Sequence, residues 1–133
     1  MTRINIVPVH ELCNQHLFAE WREMPRLVGN LEKSLSRKLP FKDTEISPEY
    51  VLGKGHVKFF YDKFEFLYKR HKKLTEVLID KGYDIRGDSD IFKTVNKKWF
   101  NDWNPSVEEM DLNRKRIMDR MPKNAKWKNV GRV

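Results

Sequence analysis

Cysteine is all but missing. Cys13 stands alone among 133 residues, which excludes an internal disulfide and any CxxC metal site. Its sequence neighbours Leu12, Leu17 and Phe18 suit a small buried hydrophobe. The four histidines, His10, His16, His56 and His71, lack the spacings of zinc ligands. No apolar run approaches the length of a membrane span, and no signal-peptide pattern opens the chain, so a soluble, cytoplasmic protein without membrane association is expected. Internal repeats and convincing strand pairing are absent as well, which leaves a helical reading.

Acid is scarce where base is dense. Lys and Arg number 27 against 19 Asp and Glu, giving +8 and a pI of about 9.6. From Asn113 to the end there are eight basic residues (Arg114, Lys115, Arg116, Arg120, Lys123, Lys126, Lys128, Arg132) and one acid, Asp119, so that stretch carries +7 of the +8. A patch of this sign and density suits a phosphate backbone; the alternative is a solvated basic C-terminus with no particular partner. The length fits one domain over residues 1–133, with a basic tail from about residue 122.

Periodicity predicts a single compact all-α domain of three main helices, with an extended N-terminal segment packed into the core. Residues 3–9 form the extended lead-in, Ile4 and Ile6 facing the core and Pro8 ending it. Helix one runs from about Asn14 to Arg37, kinked or broken at Pro25. Ser47-Pro48-Glu49 has the pattern of a short helical start. Helix two spans about Val57 to Lys81, with the stripe Phe60, Phe64, Leu67, Leu74 and Leu78 and a stop at Gly82. Ser106 to Glu109 is a capping box that opens helix three, whose expected core face is Val107, Met110, Ile117 and Met121. Between helices two and three, Trp99, Phe100 and Trp103 either cover the helix-two face or stack on a base.

Candidate chemistry gathers near the start of the chain. Thr2 presents a free α-amine once Met1 is trimmed, with a pKa of roughly 7.7–8.0 against about 10.4 for lysine. A useful fraction is therefore neutral near pH 7, and a neutral amine can attack an electrophilic sugar carbon to form an imine. Glu23 is a natural companion carboxylate. Arg22 and Arg26 lie four apart on one helix face and bracket it, in a pattern that a salt-bridged helix surface would also produce. Packing Ile4 and Ile6 into the core would hold the Thr2 amine at a fixed point, which a nucleophile needs.

Taken together, Thr2-Arg3-Ile4-Asn5, Gln15-His16-Leu17, Arg22-Glu23-x-Pro25-Arg26, Ile46-Ser47-Pro48 and Gly53-x-Gly55-His56-Val57-x-Phe59-Phe60-Tyr61-Asp62-Lys63 resemble the pyrimidine-dimer DNA glycosylase family. The likeness is dense over residues 2–70 and loosens from about Asp84. It implies a DNA repair enzyme, a glycosylase and AP lyase without metal or cofactor, acting as a monomer on UV-damaged double-stranded DNA with no obligate protein partner. By this resemblance Thr2 is the nucleophile that attacks C1′ of the 5′ nucleotide of a cyclobutane dimer. Glu23 stabilises the cationic sugar and imine and assists the β-elimination that nicks the strand. Arg3, Arg22 and Arg26 match phosphate-gripping positions, and Gln15 and His16 match residues beside the reactive sugar. The family also flips the adenine opposite the lesion into a surface cavity.

The chain departs from the family pattern towards its end. For the basic pair of the family's third helix it offers Arg114, Lys115, Arg116 and Arg120, and for an aromatic-rich tail it keeps Trp127 followed by Lys128. His71 stands where the family has an amide-type residue. Two other readings remain: the Thr2–Glu23 chemistry applied to bare AP sites or another lesion, and a basic DNA-binding protein without catalysis.

Overall fold

The computed structural model describes residues 3–130. Among them the regular structure is helical, with no strand: α1 Asn14–Glu23, α2 Arg26–Leu35, α3 His56–Phe59, α4 Phe64–Asp80 and α5 Val107–Asp119. The expected first helix is α1 and α2 joined at Met24 and Pro25, which keep helical dihedral angles. Proline lacks the N–H that would continue the ladder, so the helix breaks there without becoming a loop. Gly82, at φ 100°, ends α4. The Tyr83 amide returns to the Leu78 carbonyl and the Gly82 amide to that of Ile79, the bond pair of a left-handed glycine stop.

Three expectations are corrected. The continuous helix from Val57 to Lys81 is two pieces, interrupted at residues 60–63. Phe59, Phe60 and Tyr61 are all buried. Successive residues of a helix point about 100° apart, so a straight helix cannot bury three in a row on one side; the chain turns and all three reach the core. The Ser47-Pro48 helical start is not formed. The Ser47 hydroxyl instead accepts from the Glu49 amide and donates to its carbonyl, closing a local turn. On α5, Val107 is 62% exposed while Asn113 is fully buried. The inward stripe there runs through the partly buried Met110 and the buried Asn113 and Ile117, continued past the helix by the partly buried Met121, and Val107, in the first turn, stands outside it.

The core lies between α1, α2, α4 and the loops that cover α4. Phe60, Phe64, Leu67, Leu74 and Leu78 are fully buried, as their spacing predicts, and Cys13 joins them. Trp99 is buried, and Trp103 lies edge-on to Phe59 and Phe66 at 5.1 Å from each. These aromatics serve the core and not an exposed stacking surface. Phe92 fills the same interior against Phe64 and His71.

The N-terminal segment is buried without a neighbouring strand. Ile4, Ile6 and Val7 are at most 3% exposed, so their backbone groups need partners from elsewhere. Side chains supply them. The Ile4 amide donates to His56 Nε2 at 2.9 Å, and the Ile6 and Val7 amides both donate to Asn113 Oδ1. The Val7 carbonyl accepts from Arg70 at 2.6 Å, and Arg70 also pairs with the buried Glu20. Asn5 closes the net, donating to Glu20 and accepting from Asn113.

His56 is neutral in this arrangement. An amide can only donate, so Nε2 is bare and Nδ1 carries the hydrogen, which it gives to the Val51 carbonyl at 2.9 Å. Burial, with the positive Arg116 and Arg3 nearby, pushes its pKa down to about 4. The unfolded chain binds this proton near pH 6.5 and the folded chain does not until about pH 4. Stability is therefore complete above about pH 6.5 and is lost as pH falls through that window, by roughly 3 kcal/mol. Urea denaturation at pH 7 and pH 4.5 should show this loss in the wild type and a smaller one in His56→Gln.

Candidate active site

Three elements converge on a cavity of about 220 Å³. From the extended segment come Arg3 and Asn5, alternate residues that share the side opposite Ile4 and Ile6. From α1 come His16, Ala19, Glu20 and Glu23, one stripe at helical spacing. From α5 come Arg116 and Ile117, and from its C-cap Arg120. The cavity thus holds one half-buried carboxylate, Glu23, facing three arginines, while the second acid, Glu20, is consumed by Arg70.

The arginines are not neutralised. Among the described residues, Arg3, Arg22, Arg26, Arg116 and Arg120 enter no ion pair, and neither does Glu23. The salt-bridged surface that the Arg22-Glu23-Arg26 spacing also allowed is therefore not formed. Arg3 Nε is buried and has no hydrogen-bond partner among the described residues. Burial, and the like charges of Arg3 and Arg120, push the Arg116 guanidinium below its ordinary value. The same three arginines also border a larger hollow of about 630 Å³ with Lys115 and Gly53. Holding like charges this close costs free energy, which an oxyanion set among them would relieve.

The remaining expected site residues divide. His16 lines the cavity with Nε2 at 3.2 Å from the Arg120 carbonyl, an acceptor, so Nε2 carries the hydrogen, and the buried Nδ1 has no partner among the described residues. Arg22 points elsewhere: its guanidinium lies 5.7 Å over the Phe18 ring and it borders a separate hollow with Trp21 and His71. Those two rings stack at 6.0 Å, and Trp21 donates to Thr75. Arg26 is exposed at the start of α2. Arg114 is held by Glu11 at 2.8 Å and by Asp111 at 2.9 Å, so its charge is already matched. Thr2 lies outside the described residues.

Gln15 does not face the cavity wall. Its amide donates to the Asn124 carbonyl at 2.7 Å and accepts from the Lys126 amide at 2.9 Å. It is a clasp for the tail. Asn14 adds two more bonds, from its own amide to the Lys126 carbonyl and from Nδ2 to the Lys128 carbonyl. Lys81 Nζ donates to the Trp127 carbonyl, and the Val130 amide donates to the Lys81 carbonyl. The tail thereby satisfies backbone groups left open at the start of α1 and the end of α4. All these contacts use its main chain, so Lys123, Lys126, Trp127 and Lys128 remain exposed.

Sequence reasoning missed Asn5, Asn113 and Arg70, which build the site from behind. Asn113 was detectable as a polar residue at a core position of the third helix; Arg70 had no such signal on a helix rich in lysine and arginine.

No group of three or more His, Cys, Asp or Glu among the described residues is placed to hold a metal, and no helix among them is long and apolar enough to cross a membrane. A single unpaired carboxylate, Glu23, among arginines that enter no ion pair with the described residues defines a site for a polyanion, of which nucleic acid is the natural case. The family model for pyrimidine dimer DNA glycosylase matches residues 1–90, and the chain belongs to that family. A pyrimidine-dimer glycosylase role and binding to damaged DNA follow from this membership. Arg116 and Arg120, which complete the cavity, lie beyond the matched span.

The clasp generates a prediction. Gln15→Leu removes two hydrogen bonds worth about 1 kcal/mol each. Amide hydrogen exchange at Lys126 should accelerate while the α4 amides keep their protection.

Proposed function

We propose that the protein excises the 5′ base of cyclobutane pyrimidine dimers through an imine to the Thr2 α-amine and then nicks the strand by β-elimination. The neutral amine attacks C1′; the glycosidic bond breaks, the bonding pair goes to the base, and the proton shed by the amine nitrogen neutralises that base, which stays tethered to its 3′ neighbour through the cyclobutane ring. Opening of the sugar ring converts O4′ to a hydroxyl and C1′ to an imine. Removal of a C2′ proton then expels the 3′ phosphate, and water hydrolyses the imine to free the enzyme.

The observation that carries this reading is the meeting, in one cavity, of Glu23 with Arg3, the residue next to Thr2 in the chain. Among the described residues Glu23 enters no ion pair, so its charge is available to the oxocarbenium-like sugar and the iminium that follows. Arg3, Arg116 and Arg120 supply donors for the phosphates flanking the lesion. His16 stands in the same wall, its Nε2 hydrogen held by the Arg120 carbonyl. Arg22 and Arg26, on the outer side of α1 and α2, would grip the duplex beyond the reacting nucleotide, and Trp127 and Lys128 would extend the contact along it. The chain works as one domain over residues 1–133 and as a monomer.

The test combines trapping with mutation. Met-trimmed protein on a duplex with one cyclobutane thymine dimer should give a borohydride-stable adduct mapped to Thr2. Glu23→Gln should bind that duplex as the wild type does and nick it on the order of 10²–10⁴-fold more slowly. Equal nicking by the variant, or an adduct mapped to a lysine, would remove the assigned roles.

A further inference from the structure

The Gly53-x-Gly55-His56 run has no place in the chemistry above, yet the fold spends unusual backbone on it. Gly53 and Gly55 both take positive φ, 72° and 87°, a region that costs other residues free energy. Their effect is to set His56 at the start of α3, 99% buried, with its two ring nitrogens bonded in opposite directions. One bond runs to Val51 in the same loop. The other takes the amide of Ile4. Tyr50 stacks edge-on to the His56 ring at 5.6 Å, and its hydroxyl donates weakly to the Ile4 carbonyl at 3.5 Å. Ile4 is thus held at both ends of its backbone by one loop.

We propose that His56 is a positioning residue for the Thr2 amine: by fixing the Ile4 peptide it fixes the backbone that carries Arg3 into the Glu23 cavity, and with it the attachment point of the preceding residue. The inference rests on the Thr2 reading given above. Residue 2 is two residues upstream of Ile4, a reach of at most about 7 Å, so a loosened Ile4 amide translates directly into a misplaced nucleophile. Arg3 lies between them and already lines the cavity with Glu23. The anchor is rigid because the imidazole is locked by Val51 on its far side and by Tyr50 and Phe60 on its faces.

Two amide substitutions separate this role from folding. In His56→Gln the side-chain oxygen reaches the place of Nε2 and can accept from the Ile4 amide; in His56→Asn it stops short. Both keep a polar side chain of similar character, and thermal unfolding checks that both fold. The readouts are the single-turnover rate of borohydride-trapped adduct on a duplex with one AP site, and the affinity of each variant for the same duplex. The expected result is that Asn slows trapping on the order of 10–100-fold relative to Gln, with affinities equal within about twofold. Equal trapping by the two variants overturns the role. A parallel fall in affinity overturns it as well, assigning His56 to DNA binding instead. Wild-type protein with no adduct at Thr2 overturns the underlying amine reading and this role with it, an outcome visible before either variant is made.

Discussion

A buried stretch of extended backbone must satisfy its amides and carbonyls somewhere, and residues 4–7 do so without a sheet. His56, Asn113 and Arg70, drawn from three different helices, each hold one part of it. The helices are consequently tied together through the segment they enclose. Remove it and Asn113 Oδ1, Arg70 and His56 Nε2 all lose partners in the interior, where an unpaired polar group costs about 1–3 kcal/mol. The segment acts as the keystone of the fold, and the cavity forms on its solvent side because Arg3 and Asn5 alternate with the buried isoleucines.

The two carboxylates of α1 show how burial assigns work. Glu20 and Glu23 are three residues apart, one turn of helix. Glu20 is 3% exposed and matched by Arg70, with Asn5 on its other oxygen lobe. A buried ion pair of this kind contributes little net stability after desolvation, but breaking it strands a charge; its value here is to orient Arg70 towards Val7. Glu23, at the helix end beside Pro25, escapes that pairing and meets the arginines of α5. The break at Pro25 also turns Arg26 onto a new helix, which separates it from the cavity that the straight-helix spacing suggested.

Much of the helical frame could be read from the sequence because period and punctuation agree there: Pro25, Gly82, and the Ser106–Glu109 cap each stand at an observed boundary. The two-piece helix at residues 56–80 was not legible, since three consecutive aromatics look helical to a periodicity argument and only tertiary burial separates them. The cavity was partly legible. Arg3, His16, Glu23, Arg116 and Arg120 meet as a group, while Arg22 and Arg114 are drawn off by Phe18 and by Glu11 with Asp111. Nothing local distinguishes Arg114 from Arg116. They differ by two residues on a helix, hence by about half of its circumference, and only the position of the N-terminal segment decides which of them faces the site.

The mode of attachment of the tail has a consequence for how this protein can vary. Because residues 124–130 dock through their peptide groups, the identity of the outward side chains is decoupled from whether the strap stays seated. Lys123, Lys126, Trp127 and Lys128 form an interchangeable rail on a fixed mount. Charge and aromatic content there can change without breaking the main-chain bonds that seat the strap on α1 and α4.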